Sequence, residues 1–132
     1  MKYYVSIALV LFLGLSVFAQ DIAMHTPKVL NAAGMLWEQD IIDLGEVEKG
    51  SLTDTRFTFT NNGTQPLVIE RVKTSCGCTA SDYPKEPIQP GQTASIEVSY
   101  SAKTIGSFHK SITVYSNAVE PVTTLRIKGS VK

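Results

Sequence analysis

From Trp37 onward apolar side chains recur at every second position, and this alternation restricts the chain to sheets with one dry and one wet face. Thr55–Thr60 ("TRFTFT") puts Phe57 and Phe59 on one side, with Arg56, Thr58 and Thr60 opposite. Ser95–Tyr100 groups Ile96, Val98 and Tyr100, and Ser111–Tyr115 groups Ile112 and Val114. In Thr124–Val131 the inward set is Leu125, Ile127 and Val131, while Arg126, Lys128 and Ser130 point away. Side chains alternate across a strand but return every 3.6 residues on a helix, so a period of two excludes a helical body. Asn61-Asn62-Gly63, Pro90-Gly91 and Ser116-Asn117 punctuate these runs with turn-forming residues. Asn62-Gly63-Thr64 also matches a glycosylation sequon, but a hairpin turn is the stronger reading. Strands are expected near 38–44, 52–60, 66–73, 76–80, 93–101, 108–116 and 122–131. The fold class is all-β: an immunoglobulin-like antiparallel β-sandwich of about seven strands.

The first residues follow a different rule. Lys2 precedes the apolar run Val5–Phe18 ("VSIALVLFLGLSVF"), which is shorter than the roughly 20 residues a membrane-spanning helix needs. Val17 and Ala19 supply small residues at the −3 and −1 positions of a cleavage site before Gln20. Residues 1–19 therefore read as a signal peptide, 20–37 as an N-terminal arm or a strand added late, and 38–132 as the sandwich domain. The expected location is exported, periplasmic or extracellular, with no membrane span once the signal is removed. The 12 basic and 12 acidic groups cancel, and loss of Lys2 leaves a slight acidic excess. That balance argues against nucleic acid, whose phosphates demand clustered Lys and Arg.

The chain has two cysteines, Cys76 and Cys78, separated by Gly77 in "SCGCT". On an extended strand their Cα atoms would lie about 6.6–6.8 Å apart on one face, at the upper limit for a disulfide. Gly77 relaxes that limit, because a residue without Cβ can take a tight bend. Three readings stay open: a structural or locally bridged element, a metal site, and a redox-active or intermolecular disulfide. Two thiolates suit Cu(I) or half a Zn²⁺ shell. Zinc would need more ligands, and the chain offers imidazole only at His25 and His109, with Met24 and Met35 as candidates for copper. His109 shares parity with Ser111 and Thr113 and is expected on the wet face.

No Gly-rich phosphate loop, Gly-x-Ser-x-Gly elbow or His-x-x-x-His pair is present in the sequence. Asp40 and Asp43, like Glu46 and Glu48, sit beside turns and read as solvated faces. No catalytic residue and no cofactor are expected.

"DLGEVEKG" (43–50), "FTFTNNGTQPLVIERVKTSCGCT" (57–79), "KEPIQPGQTASIEVSY" (85–100), "GSFHKSITVYSN" (106–117) and "LRIKGSV" (125–131) together resemble the bacterial exported family known as domain of unknown function 1573. The resemblance covers nearly all of 38–131. It implies an immunoglobulin-type sandwich related in outline to the spindle–hydin and major-sperm-protein modules, and a place in the bacterial envelope. It carries over no catalytic residue; Cys76, Gly77 and Cys78 are all its motif offers. Leu44 stands where an aromatic residue is usual. The expectation is a non-enzymatic module that binds another envelope protein, with strand-edge pairing as one route and 122–131 as a candidate edge. The alternative is a copper-binding or thiol-redox protein using Cys76 and Cys78.

Overall fold

The structure is a computed structural model that describes residues 31–132. The signal peptide expected at 1–19, Met24, His25 and the arm as far as residue 30 lie outside the described residues. Eight strands follow in order: β1 (Leu36–Trp37), β2 (Ile41–Val47), β3 (Leu52–Thr60), β4 (Ile69–Thr74), β5 (Thr79–Asp82), β6 (Thr93–Ser101), β7 (Gly106–Ser116) and β8 (Val122–Val131). They form two four-stranded sheets, ordered β1-β3-β6-β5 and β2-β8-β7-β4. The all-β immunoglobulin-like sandwich read from the sequence is what the chain adopts. No described helix is long and apolar enough to cross a membrane.

The alternation places the core where the sequence put it. Phe57, Phe59, Ile96, Ile112, Leu125 and Ile127 have no exposed surface. Each fully buried side chain of this size contributes about 1.5–3 kcal/mol. Tyr100 stacks on Phe108 with ring centroids 4.1 Å apart, and Trp37 tilts against Phe59 at 4.9 Å.

The structure departs from the sequence reading in four places. First, β2 runs parallel to β8, with Ile41 opposite Arg126 and Val47 opposite Val131. Alternation fixes which face a strand shows, not which neighbour it takes, so the direction was not legible. Second, β8 is therefore an interior strand, flanked by β2 and by β7. The candidate edge at 122–131 is withdrawn, since from Arg126 to Val131 the strand lies between β2 and β7. Third, Asn61-Asn62-Gly63 is not a hairpin turn, because the strands it joins, β3 and β4, belong to different sheets. Fourth, the strand expected at 76–80 begins only at Thr79, and both cysteines lie in the turn before it.

The described end of the arm is held to the sandwich. Ala33 is buried and bridges Ala118, and Leu36–Trp37 pairs antiparallel with Phe59–Thr60. Glu38 N–H still reaches the Thr58 carbonyl at 3.0 Å. The chain then crosses to the other sheet to begin β2, so β1 covers only the last residues of β3.

A close backbone approach fixes one glycine. A Cβ on Gly129 would sit 2.6 Å from the Gly45 carbonyl oxygen and 2.7 Å from the Phe108 ring. The bulge that shifts the β2–β8 register between Asp43 and Glu46 brings Gly45 over this point. Gly129→Ala is expected to destabilise the fold by about 1–3 kcal/mol, the usual range for overpacking. A urea titration checks it, with a lowered midpoint and an unchanged slope expected.

Candidate functional site

Three features stand out from the scaffold, and the cysteine turn is the first. β4 ends at Thr74, whose hydroxyl donates to the Cys76 carbonyl at 3.2 Å, and Thr79 N–H closes the turn onto the same carbonyl at 3.3 Å. Within this turn Cys76 and Cys78 are joined as a disulfide with Cα atoms 5.3 Å apart. That separation is shorter than an extended strand allows, and it is reached because the chain bends over residues 75–78 between β4 and β5. Bonded sulfurs are not thiolates, so the copper or zinc reading at Cys76 and Cys78 is corrected: metal binding there needs both sulfurs free and deprotonated. Among the described residues no three His, Cys, Asp or Glu side chains cluster at metal-binding distance. His109 is exposed on the wet face, opposite Lys128.

The ring closed by this bond spans one intervening residue, so its entropic effect on the unfolded chain is small. Cys76→Ser is expected to lower stability by only about 1–2 kcal/mol, read as a shift in thermal midpoint at equal protein concentration.

The second feature is the outer edge of β3. Ser51 O accepts from Ala102 N–H on the β6 side, whereas Thr58 O accepts from Glu38 on the other. Backbone groups alternate along an antiparallel strand, so Leu52, Asp54 and Arg56 point their N–H and C=O away from β6. β1 reaches only Thr60, Phe59 and Thr58. Among the described residues, nothing pairs with the rest of this edge. The same three residues are exposed, Leu52 at 66%.

The third feature is a cleft of about 630 Å³ where β1 leaves β3, lined by Met35, Trp37, Glu38, Asp40, Val119 and Thr123. Trp37 Nε1 is buried there without a hydrogen-bond partner among the described residues. A buried indole N–H normally finds one. Leu36, Ile41 and Val122, neighbours of the lining residues in sequence, are exposed.

Sequence reasoning singled out Cys76, Gly77 and Cys78, and the structure brings them together. It missed the β3 edge because openness depends on what lies alongside. It also missed Asn61, read as a turn residue, which is fully buried. Its side chain accepts from Gly34 and Gly63 N–H and donates to the Gln65 and Ile88 carbonyls, all at 2.8–3.1 Å.

Together these features define a class: a two-layer immunoglobulin-like sandwich with an open strand edge and a small disulfide turn. The chain belongs to the family described as protein of unknown function (DUF1573), whose profile matches residues 35–131. Among solved structures it resembles a protein of unknown function from Porphyromonas gingivalis W83, at 18% identity and TM-score 0.67. The match covers 80% of this chain and 51% of that one, so the chain spans about half that protein's length. It also resembles the ASH/PapD-like domain 7 of human CEP192, at 7% identity and TM-score 0.65, covering 77% of this chain and 87% of that one. The Vibrio cholerae VesB protease matches at 18% identity and TM-score 0.60, over 76% of this chain but 32% of the protease. These likenesses show the fold. No curated protein matches the chain.

Proposed function

We propose that this chain is an exported, non-catalytic recognition module of the bacterial envelope that binds a partner protein by taking an extended segment along the β3 edge. The observation that carries this reading is the row of main-chain groups at Leu52, Asp54 and Arg56 that pair with nothing among the described residues. An incoming strand would satisfy that row with its own N–H and C=O groups and so gain affinity independent of sequence. Side chains on the exposed face set preference: Leu52 offers an apolar contact, and Asp54 and Arg56 offer opposite charges. The leader-like sequence at 1–19 supports export. The sandwich fold shared with PapD-like domains supports a binding role. The match to VesB covers a third of that chain, which fits a sandwich that can accompany a catalytic unit without being one.

The test uses a photo-crosslinking residue in place of Leu52 in the native cell, with and without Asp54→Pro. Proline at 54 removes an N–H that faces away from β6, so the β3–β6 ladder stays complete, and edge strands tolerate proline there. One dominant adduct with a different protein, lost in the Asp54→Pro chain while its melting curve stays within a few degrees, is the expected result. A homodimer as the only adduct, or an adduct that persists with proline at 54, would overturn the reading.

A further inference from the structure

The Cys76–Cys78 bond contributes little to stability through chain entropy, yet both cysteines are half exposed at one end of the sandwich. Their surroundings are unlike each other. Cys78 is anchored: its carbonyl accepts from Ser101 N–H at 2.8 Å, which starts the pairing of β5 with β6. It lines a hollow of about 370 Å³ shared with Lys103, Lys110 and the stacked pair Tyr100 and Phe108. Cys76 instead sits in the turn, with its Sγ 3.6 Å from the hydroxyl of the buried Thr79.

We propose that this disulfide is a thiol–disulfide exchange site for cysteine thiolates that enter the Lys103–Lys110 hollow and attack Cys78. The incoming sulfur uses its lone pair to form a bond to Cys78 Sγ. The Cys76–Cys78 bond breaks, and its electron pair leaves on Cys76 as a thiolate. Thr79 O–H donates to that thiolate, which favours its departure, and the thiolate later takes a proton from water. The product is a mixed disulfide between Cys78 and the partner. A second thiolate of the same partner then attacks the partner's own bound sulfur and releases Cys78 as a thiolate. The partner dithiol has lost two electrons and become a disulfide, and Cys76 and Cys78 have gained them. The two lysines that line the same hollow as Cys78 raise the local concentration of anionic thiolates and stabilise the charge that moves through the site. The turn is open at Gly77, where no other atom lies within 4 Å of the Cβ direction. The hollow is separate from the β3 edge, so this proposal does not rest on docking there.

The test takes the oxidised full chain without denaturant and adds reduced glutathione or cysteamine. Reactions are quenched in acid, and intact masses are followed with time. Glutathione thiolate carries net negative charge, whereas cysteamine thiolate is balanced by its ammonium group. The expected result is a transient glutathione adduct that fragmentation places on Cys78, followed by the dithiol form, with unchanged Trp37 emission throughout. In the Lys103→Gln, Lys110→Gln double variant the glutathione rate falls about tenfold and the cysteamine rate about twofold or less. A bond that opens only after denaturant is added would overturn the proposal. So would an adduct on Cys76, or an equal slowing of both thiols by the lysine changes.

Discussion

Replacing Asn61 with leucine is expected to lower the unfolding free energy by about 3–5 kcal/mol, far more than a change in a surface turn. Leucine has the same branched outline but bulkier methyls, which cannot approach backbone N and O as closely as the amide does, so overpacking adds to the loss. The main reason is the groups left behind: the N–H of Gly34 and Gly63 and the carbonyl of Gln65 lose their partner, while the Ile88 carbonyl keeps only the Leu67 N–H. Each buried polar group without a partner costs about 1–3 kcal/mol, and local opening to water recovers part of that. Asn61→Asp is expected to fail as well, because a carboxylate keeps the acceptor for the two glycines but turns like polarity toward the two carbonyls. Gly63 adds a constraint of its own, since a Cβ there would lie 2.1 Å from the Ala32 carbonyl oxygen. Urea unfolding of both Asn61 variants, with the slope checked for two-state behaviour, is the measurement.

The second large effect is expected at Phe59. Phe59→Ala removes a ring with no exposed surface that supports Trp37 from beneath. Large-to-small changes of this kind cost about 3–5 kcal/mol, through lost transfer free energy plus the cavity left behind. The site adds a local signature. β1 is two residues long and held to β3 by a short ladder, so its position depends on the Trp37–Phe59 contact. In Phe59→Ala the emission of Trp37, the chain's single tryptophan, should shift to the red before the rest of the molecule unfolds. A stability loss without that shift would mean that β1 is held by Ala33 and its backbone bonds.

The contrast between these residues explains what could be read from sequence. Phe59 was legible because alternation alone assigns it to the dry face, and β3, β6 and β8 were bounded correctly by the same rule. Asn61 was not legible, because a polar residue beside asparagine and glycine looks like any solvated turn; only the crossing between sheets closes a cage around its amide. Leu36–Trp37 is too short to show a period. The parallel partnership of β2 with β8 leaves no mark on either strand's pattern, so from sequence the C-terminal strand reads as an edge. The cysteines stand out in the sequence, but the chain bends over 75–78 instead of continuing as a strand, and that bend joins them.

The account turns on β3 having one paired and one unpaired side, and backbone amide exchange measures this residue by residue. Thr53, Thr55 and Phe57, whose N–H groups face β6, should exchange slowly, near the rate set by global opening. Asp54 and Arg56, which alternate with them along the same strand, should exchange orders of magnitude faster. Uniform protection from Thr53 to Phe57 in the isolated monomer would mean that the edge is already covered, and the docking surface proposed for this protein would not exist.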